Sequence, residues 1–140
     1  MGLLIDTNVF IAAERSRNAD QLSDTLELIS HGRDEEEALI SVVTASELDM
    51  GVHRATNVQH RERRRAFVES VFAQFSVATI DLRVARCHAH IVAQLMSAGQ
   101  LIGTHDSWIA ATALANGHTV VTANISEFQR VPGLTVIPVS

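Results

Sequence analysis

The sequence contains no lysine, and all eleven of its basic residues are arginine. Without lysine the chain cannot build a Walker-A phosphate loop, form a Schiff base, or handle phosphate as receiver domains do. A haloacid-dehalogenase-like site is excluded as well, because it needs a lysine and a second aspartate at the position that Asn8 occupies. Phosphotransfer through Asp6 is therefore ruled out.

Cysteine and long apolar runs are also scarce. The single Cys87 excludes an internal disulfide framework and fits a reducing compartment. The N-terminus lacks the basic start of a signal peptide, and the apolar runs fall well short of the roughly 20 residues that a membrane helix needs. We expect a cytoplasmic protein without a membrane partner.

The composition predicts one globular domain over residues 1–140, since 46% of the residues are hydrophobic and 19% are charged. The net charge of −5 argues against simple electrostatic binding to nucleic acid or membrane. That sum hides a local cluster, because five of the arginines fall within residues 54–65.

Short apolar runs alternate with amphipathic segments along the chain, which predicts an α/β fold. Strands are predicted at 3–6, 38–41, 76–80, 119–124 and 134–139. Helices are predicted at 8–14, 19–30, 44–54 and 58–75, from Asp81 to before Gly99, and from near Asp106 to Asn116, with a polar loop at 31–37. We expect a central parallel sheet of four to five strands with helices on both faces.

Polar side chains follow three of the predicted strands, and Asp106 opens the helix that leads into the fourth. Parallel strands end at one edge of the sheet, which is the usual ligand-binding edge, so we expect these side chains to lie together there. They are Asp6, Glu47, Asp106 and Asn124, with Thr7 and Ser107 as neutral neighbours. Carboxylates gathered without a basic partner repel one another unless a cation binds, and hard oxygen ligands select Mg²⁺ or Mn²⁺. A structural alternative stays open: Asp6 and Asp106 are plausible helix caps, and Thr44-x-x-Glu47 matches a capping box.

Four segments in order, "LLIDTNVFI", "ISVVTASELDMGV", "THDSWIAATAL" and "VVTANISEFQRVPGL", resemble the PIN domain. The resemblance covers nearly the whole chain and is strongest to the VapC-type toxins of bacterial and archaeal toxin–antitoxin pairs. It implies an endoribonuclease that uses Mg²⁺ or Mn²⁺, in which a water activated by the cation attacks the scissile phosphate.

The resemblance also implies roles for particular residues. Asp6, Glu47 and Asp106 are expected to bind the metal, with Asn124 as the fourth catalytic position. The expected supporting residues are Thr7, Asn8, Ser107 and Thr122. Asn124 departs from the aspartate common in the family, and the nearby Glu127 could stand in for the missing carboxylate. If catalysis has been lost, the alternative is a PIN-fold module that only binds RNA or protein.

The expected partners follow from the same resemblance. They are a cognate VapB-type antitoxin that covers the acidic site, an RNA substrate, and a second copy of the chain, giving a homodimer and hetero-oligomers with the antitoxin. The residues predicted to contact RNA are Arg54, Arg61, Arg64 and His105. Alternatively, "RERRR" is only the solvated face of a helix.

Overall fold

The structure is a computed structural model that describes residues 2–16, 27 and 36–139. Its strands are β1 (Gly2–Ile5), β2 (Glu37–Ser41), β3 (Ser76–Ala78), β4 (Thr119–Thr122) and β5 (Val136–Pro138). The helices within those ranges are α1 (Thr7–Arg15), α2 (Val42–His53), α3 (Val58–Gln74), α4 (Leu82–Ser97), α5 (Thr104–Asn116) and α6 (Ile125–Phe128). The helix predicted at 19–30 and most of the loop predicted at 31–37 lie outside the described residues.

All five strands form one parallel sheet in the order β3-β2-β1-β4-β5. β1 lies at the centre, where Leu4 pairs with Leu39 of β2 on one side and with Val120 of β4 on the other. Such a strand is covered on both faces, which explains why the whole of Gly2–Ile5 is buried and apolar rather than alternating. The predicted α/β fold with up to five parallel strands is confirmed.

Two apolar layers cover the sheet, and the pleat divides the strand residues between them. Leu3 and Ile5 point to the layer formed by α1, α2 and α3, where Phe10 is completely buried. Leu4 points to the opposite layer, formed by α4, α5 and α6. The buried alanines of α5 let that helix pack closely on the sheet, so its first turn lies near the strand ends.

The predicted strands at 76–80 and 119–124 end earlier than expected, at Ala78 and Thr122. β3 stops because Asp81 accepts a hydrogen bond from the Val84 amide and begins α4. β4 stops because the Asn124 amide turns back to the Thr122 hydroxyl. These early endings leave polar groups free at the carboxyl edge of the sheet.

Smaller differences occur at other ends. β1 ends one residue before the predicted limit of 3–6, and β2 begins at Glu37, one residue before the predicted 38–41. β5 covers only the middle of the predicted 134–139. Within the described ranges, no helix combines the length and apolarity that crossing a membrane requires.

Candidate active site

Asp6 follows β1 directly and is only 4% exposed. Its amide still bonds to the Val121 carbonyl at 2.8 Å, so the ladder with β4 holds it in place. Oδ1 accepts a hydrogen bond from the Thr7 amide, which makes Asp6 the N-cap of α1 as the structural alternative predicted. Oδ2 accepts from the Thr122 hydroxyl at 2.8 Å. The cap and the site are thus the same carboxylate.

Thr122 and Asn8 orient this carboxylate. The Thr122 hydroxyl is fully buried, donates to Asp6, and accepts from the Asn124 amide at 2.9 Å. Asn8 Nδ2 also donates to that hydroxyl at 3.3 Å, while its Oδ1 accepts from the Ala123 amide at 3.2 Å. Asn8 therefore ties the start of α1 to the end of β4, and it supports Asp6 through Thr122, which bonds to the carboxylate directly.

Glu47 reaches the same edge from α2. The Thr7 hydroxyl donates to Glu47 Oε1 at 2.7 Å, and Thr44 Oγ1 lies 2.9 Å from the same hydroxyl. Ser41 Oγ in turn lies 3.2 Å from Thr44 Oγ1 and accepts from the Thr44 amide at 2.9 Å. The predicted Thr44-x-x-Glu47 capping box is wrong, because Ser41 caps α2 and frees Glu47 to face Thr7.

His105 makes the remaining described contact of Glu47. Its Nδ1 lies 3.0 Å from Glu47 Oε2, and its side chain is 55% exposed. The imidazole therefore stands at the rim of the site, with one edge on a carboxylate and the other toward solvent. It is the one basic side chain that the described contacts place against the acidic group.

Asp106 lies in the first turn of α5 and shares a side-chain hydrogen bond with Glu127 of α6. Burial raises the pKa of Asp106 from its ordinary 3.8 to about 8, and Glu127, Asp6 and Glu47 add to the shift. Burial also raises the pKa of Asp6, and Glu47 and Glu127 reinforce it against the hydrogen bonds from Thr122 and Thr7. Four carboxyl groups therefore influence one another at this edge.

The predicted role of Asp106 as a helix cap is wrong. Gly103 occupies the cap position of α5, without a side-chain hydrogen bond. Asp106 sits three residues further on, so its carboxylate is free to face Glu127 rather than the helix terminus.

Asn124 lies at the edge but turns its side chain elsewhere. Its Oδ1 accepts from the Ser126 hydroxyl at 3.2 Å, and the residue is exposed. Glu127, one helical turn later, is the fourth acid of the group. Glu127 was suggested from the sequence as a substitute for the missing carboxylate, but α6 has only four residues, too few to show a periodicity that predicts the direction of the side chain.

Ser107 is buried but faces the neighbouring helix. Its hydroxyl donates to the Thr104 carbonyl at 2.8 Å and lies 3.0 Å from His88 Nε2 on α4. The His88 ring stacks on Trp108, with centroids 3.6 Å apart. Ser107 was predicted to support the metal ligands, whereas its described hydrogen bonds instead fasten the first turn of α5 to α4.

The arginines predicted to contact RNA fall into two groups. Arg64 donates to Glu14 and to the Gly51 carbonyl, both at 3.0 Å, and Arg61 donates to the Ala55 carbonyl at 3.1 Å. These two hold α3 against its neighbours. Arg54 is exposed at the end of α2, and its guanidinium group has no hydrogen bond or ion pair to the described part of the chain.

The donor set has the chemistry of a hard-cation site, with carboxylate oxygens in a half-buried setting and raised pKa values. Among the residues that the structure describes, no group of three or more His, Cys, Asp or Glu side chains has the geometry to hold a metal ion. The residue types fit a divalent cation, while the carboxylates need to be drawn together to bind it.

The family profile of the PIN domain matches residues 3–134. Ribonuclease VapC1 of Rickettsia felis is 36% identical over 140 residues, covering 100% of this chain and 98% of the relative. The tRNA(fMet)-specific endonuclease VapC of Salmonella typhimurium is 34% identical over 97 residues, covering 69% of this chain and 71% of the relative.

A solved structure gives the same result in three dimensions. The crystal structure of DNA-bound VapBC from Salmonella typhimurium contains a chain with a TM-score of 0.83 and 27% identity, covering 99% of this chain and 98% of that one. Sequence profile, relatives and fold agree over nearly the whole length. The chain belongs to the PIN-domain family, in which its similarity is to ribonucleases of the VapC type.

Proposed function

We propose that this protein is an endoribonuclease, the toxin of a toxin–antitoxin pair, and that it requires Mg²⁺ or Mn²⁺ to hydrolyse a phosphodiester of RNA. The observation that carries the proposal is the convergence of Asp6, Glu47, Asp106 and Glu127 at one edge of the sheet, with the pKa of Asp106 raised to about 8. Acids held this close together without lysine or arginine favour binding of a cation. The endonuclease and ribonuclease names of the relatives support the reaction.

The proposed metal ligands are Asp6, Glu47 and Asp106, and we add Glu127 as the fourth carboxylate. A divalent cation, when bound, supplies Lewis-acid stabilisation of the charge that develops on the phosphate. Asp106, hydrogen-bonded to Glu127, keeps its proton at neutral pH in the metal-free protein because its pKa is raised to about 8, and it would lose that proton if a cation bound in its place. Asn124 keeps a role in this proposal only through its backbone amide, which donates a hydrogen bond to the Thr122 hydroxyl.

Hydroxyl and amide groups prepare the carboxylates for this task. Thr122, supported by Asn8, fixes one oxygen of Asp6, and Thr7 fixes one oxygen of Glu47. Each carboxylate then keeps a defined orientation, which lowers the cost of ordering it around a cation. His105 at the rim is positioned to meet an RNA phosphate near the scissile bond.

The proposed partner is an antitoxin of the VapB type, with the toxin acting as a homodimer in the cytoplasm and as a hetero-oligomer when silenced. The similar chain from Salmonella typhimurium was solved as part of a VapBC assembly. An acidic edge that must not cleave cellular RNA unchecked calls for a protein that covers it.

One observation favours the alternative, a PIN fold that binds without catalysis: the described side chains do not form a finished cation site. The four convergent acids oppose this alternative, because a non-catalytic module has no need to keep carboxyl groups with raised pKa values together. Metal binding separates the two.

The decisive experiment is Mg²⁺ and Mn²⁺ calorimetry with RNA cleavage in the same buffers, on wild type, Asp6→Asn and Asp81→Asn. Asparagine caps helices as well as aspartate does, so both variants keep their caps and lose one charge. We expect Asp6→Asn to lose cleavage by more than about 100-fold, beyond what supporting residues cost. Asp81→Asn, whose carboxylate caps α4 outside the site, should cleave like wild type.

Metal binding that is absent from wild type, together with absent cleavage, would establish the binding module instead. Equal activity of Asp6→Asn and wild type would show that Asp6 serves only as a cap. The Asp81→Asn control guards against an effect of lost charge at any helix terminus.

A further inference from the structure

We propose that single-stranded RNA leaves the acidic site through a groove between α1, α2 and α3, with Arg15 and Arg54 binding its phosphates. This inference rests on the proposed ribonuclease function and names where the substrate lies beyond the scissile bond. Arg15 was not among the residues predicted to contact RNA, and Arg61 and Arg64 are replaced in that role.

The groove begins at the site itself. Glu47, Met50, Gly51 and Arg54 are spaced at positions i, i+3, i+4 and i+7 on α2, so one face of that helix carries all of them. All four line the same groove. From Glu47 to Arg54 the helix rises about 10 Å at 1.5 Å per residue. A strand whose phosphate sits at Glu47 can therefore follow this face to Arg54.

The opposite wall comes from α1 and α3. Ile11 and Arg15 lie four residues apart on α1, and both line the groove together with Arg64 of α3. Gly51 has no side chain to narrow the passage, and a Cβ there would contact Arg64 Cδ at 3.5 Å. The Arg64 side chain therefore lies over Gly51 and forms the floor of the groove between the helices.

Two of the three groove arginines have guanidinium groups that form no ion pair in the described part of the chain. Arg64 is paired with Glu14 and bonded to the Gly51 carbonyl, so it serves as part of the floor. Arg15 and Arg54 are exposed, and neither guanidinium group has a hydrogen bond or ion pair to the described part of the chain. A guanidinium in this state can bind a phosphate through two parallel hydrogen bonds.

The groove also exposes apolar surface beside these charges. Ile11 is 39% exposed and Met50 is 41% exposed. The free energy falls when a flat apolar partner covers large apolar side chains that are exposed to water. Each base of a single strand offers such a face. Cationic and apolar groups that alternate along a groove complement a nucleic-acid strand, whose backbone is anionic and whose bases have apolar faces.

Charge complementarity selects RNA over an acidic peptide as the occupant, because the groove runs into the carboxylates. A peptide acidic enough to pair with Arg15 and Arg54 would meet Glu47 and Glu14 along the same walls. RNA has a reason to end there, since its scissile phosphate is brought to the site by the proposed cation.

The test measures RNA binding in EDTA, so that it does not depend on cleavage. A fluorescein-labelled single-stranded RNA of twelve nucleotides is titrated with Arg15→Gln, Arg54→Gln, the double variant and wild type at several salt concentrations. The slope of log K against log salt is negative, and each lost phosphate contact reduces its magnitude by about 0.7 for a single strand. We expect each single variant to bind several-fold more weakly and the double variant to lose about 1.4 in slope.

Arg65→Gln is the matched control, because Arg65 is an exposed arginine of α3 that does not line the groove. Its affinity and slope should equal those of wild type. Met50→Ala should weaken binding without changing the slope, since it removes apolar contact but no charge. Thermal unfolding of every variant shows that the fold is retained.

A double variant that binds RNA with wild-type affinity and slope would overturn the inference. The same holds if it loses only the capture of a partner protein, because the groove is then a protein surface. Wild type that binds no RNA in EDTA would also overturn it. The nuclease proposal is judged separately by Mg²⁺-dependent cleavage, so the two can fail independently.

Discussion

Asp6 and Asp81 have the same local role in this fold and opposite electrostatics. Each follows a strand, begins a helix, and accepts a hydrogen bond from a backbone amide of that helix. Burial raises the pKa of Asp6, whereas the Val84 amide and then Arg83 lower the pKa of Asp81. A capping aspartate becomes a candidate catalytic group through burial and neighbouring acids, which local sequence cannot show.

The largest expected effect tests the neighbouring acids. Glu127→Gln should weaken Mg²⁺ binding by about 10–100-fold, because it removes one of the four carboxylates that make the environment of Asp6 unlike that of Asp81. Asn124→Ala is the matched control and should change affinity by less than about threefold, since the Asn124 side chain bonds only to Ser126 in the described structure. Calorimetry measures both variants. A greater loss of Mg²⁺ affinity in Asn124→Ala than in Glu127→Gln would show that the Asn124 side chain, and not Glu127, supplies the fourth ligand.

The next effect tests the hydrogen bonds that the two aspartates receive. Thr122→Val keeps the shape of β4 but removes the donor to Asp6 Oδ2, so we expect Mg²⁺ affinity to fall by about tenfold. Arg83→Gln removes a donor to Asp81 and should leave Mg²⁺ affinity unchanged. Equal affinities of Thr122→Val and wild type would mean that Thr122 only ends the strand.

The pH dependence of stability should differ between the site and the exposed cap. Asp106 binds its proton more tightly in the folded protein, with a pKa of about 8 against the ordinary 3.8. The free energy of unfolding of the metal-free protein should therefore decrease as pH rises from about 4 to about 8. Asp106→Asn should flatten this slope, measured by urea unfolding in EDTA.

Asp81 gives the opposite sign. Its pKa is lowered in the folded protein, so its contribution is present above the ordinary pKa of 3.8 and is lost as pH falls through the lower folded value. Asp81→Asn should therefore leave the slope between pH 4 and 8 unchanged. A slope that survives in Asp106→Asn would assign the proton to another group.

The smallest expected effect is on the melting temperature, which the same substitution should shift in opposite directions at the two aspartates. In EDTA at neutral pH, Asp6→Asn should raise the melting temperature, because it removes a carboxyl group whose ionised form burial and the neighbouring acids disfavour, while asparagine keeps the cap. Asp81→Asn should lower the melting temperature, because it removes an exposed charge that Arg83 stabilises. Shifts of the same sign would show that capping alone governs both positions.

Much of this site could be predicted because parallel strands end at one edge. The positions of Asp6 and Thr122 follow from two apolar runs and the residues after them. The same logic could not place Glu127, which reaches Asp106 from a helix of four residues. Strand ends obey the geometry of the sheet, whereas the direction of a short helix depends on packing of Phe128 in the core.

The arginines illustrate a second limit of sequence. Arg54, Arg61 and Arg64 belong to one basic cluster, yet Arg64 is paired with Glu14, fifty residues earlier in the chain. A pairing across three helices leaves no local pattern. The cap of α2 was misplaced for a related reason, because β2 passes into α2 without a loop and Ser41 serves both elements.

The row of hydroxyls from Ser41 through Thr44 and Thr7 to Glu47 has a direction. Ser41 Oγ accepts from the Thr44 amide and donates its own proton to Thr44 Oγ1. Each hydroxyl has a single proton, so Thr44 donates to Thr7, and Thr7 donates to Glu47. The Glu47 oxygen at the end of the row sets this direction, because it takes the Thr7 proton and leaves Thr7 able only to accept from Thr44. Glu47 Oε1 is therefore committed as the acceptor of the Thr7 hydroxyl, while Glu47 Oε2 faces His105 Nδ1.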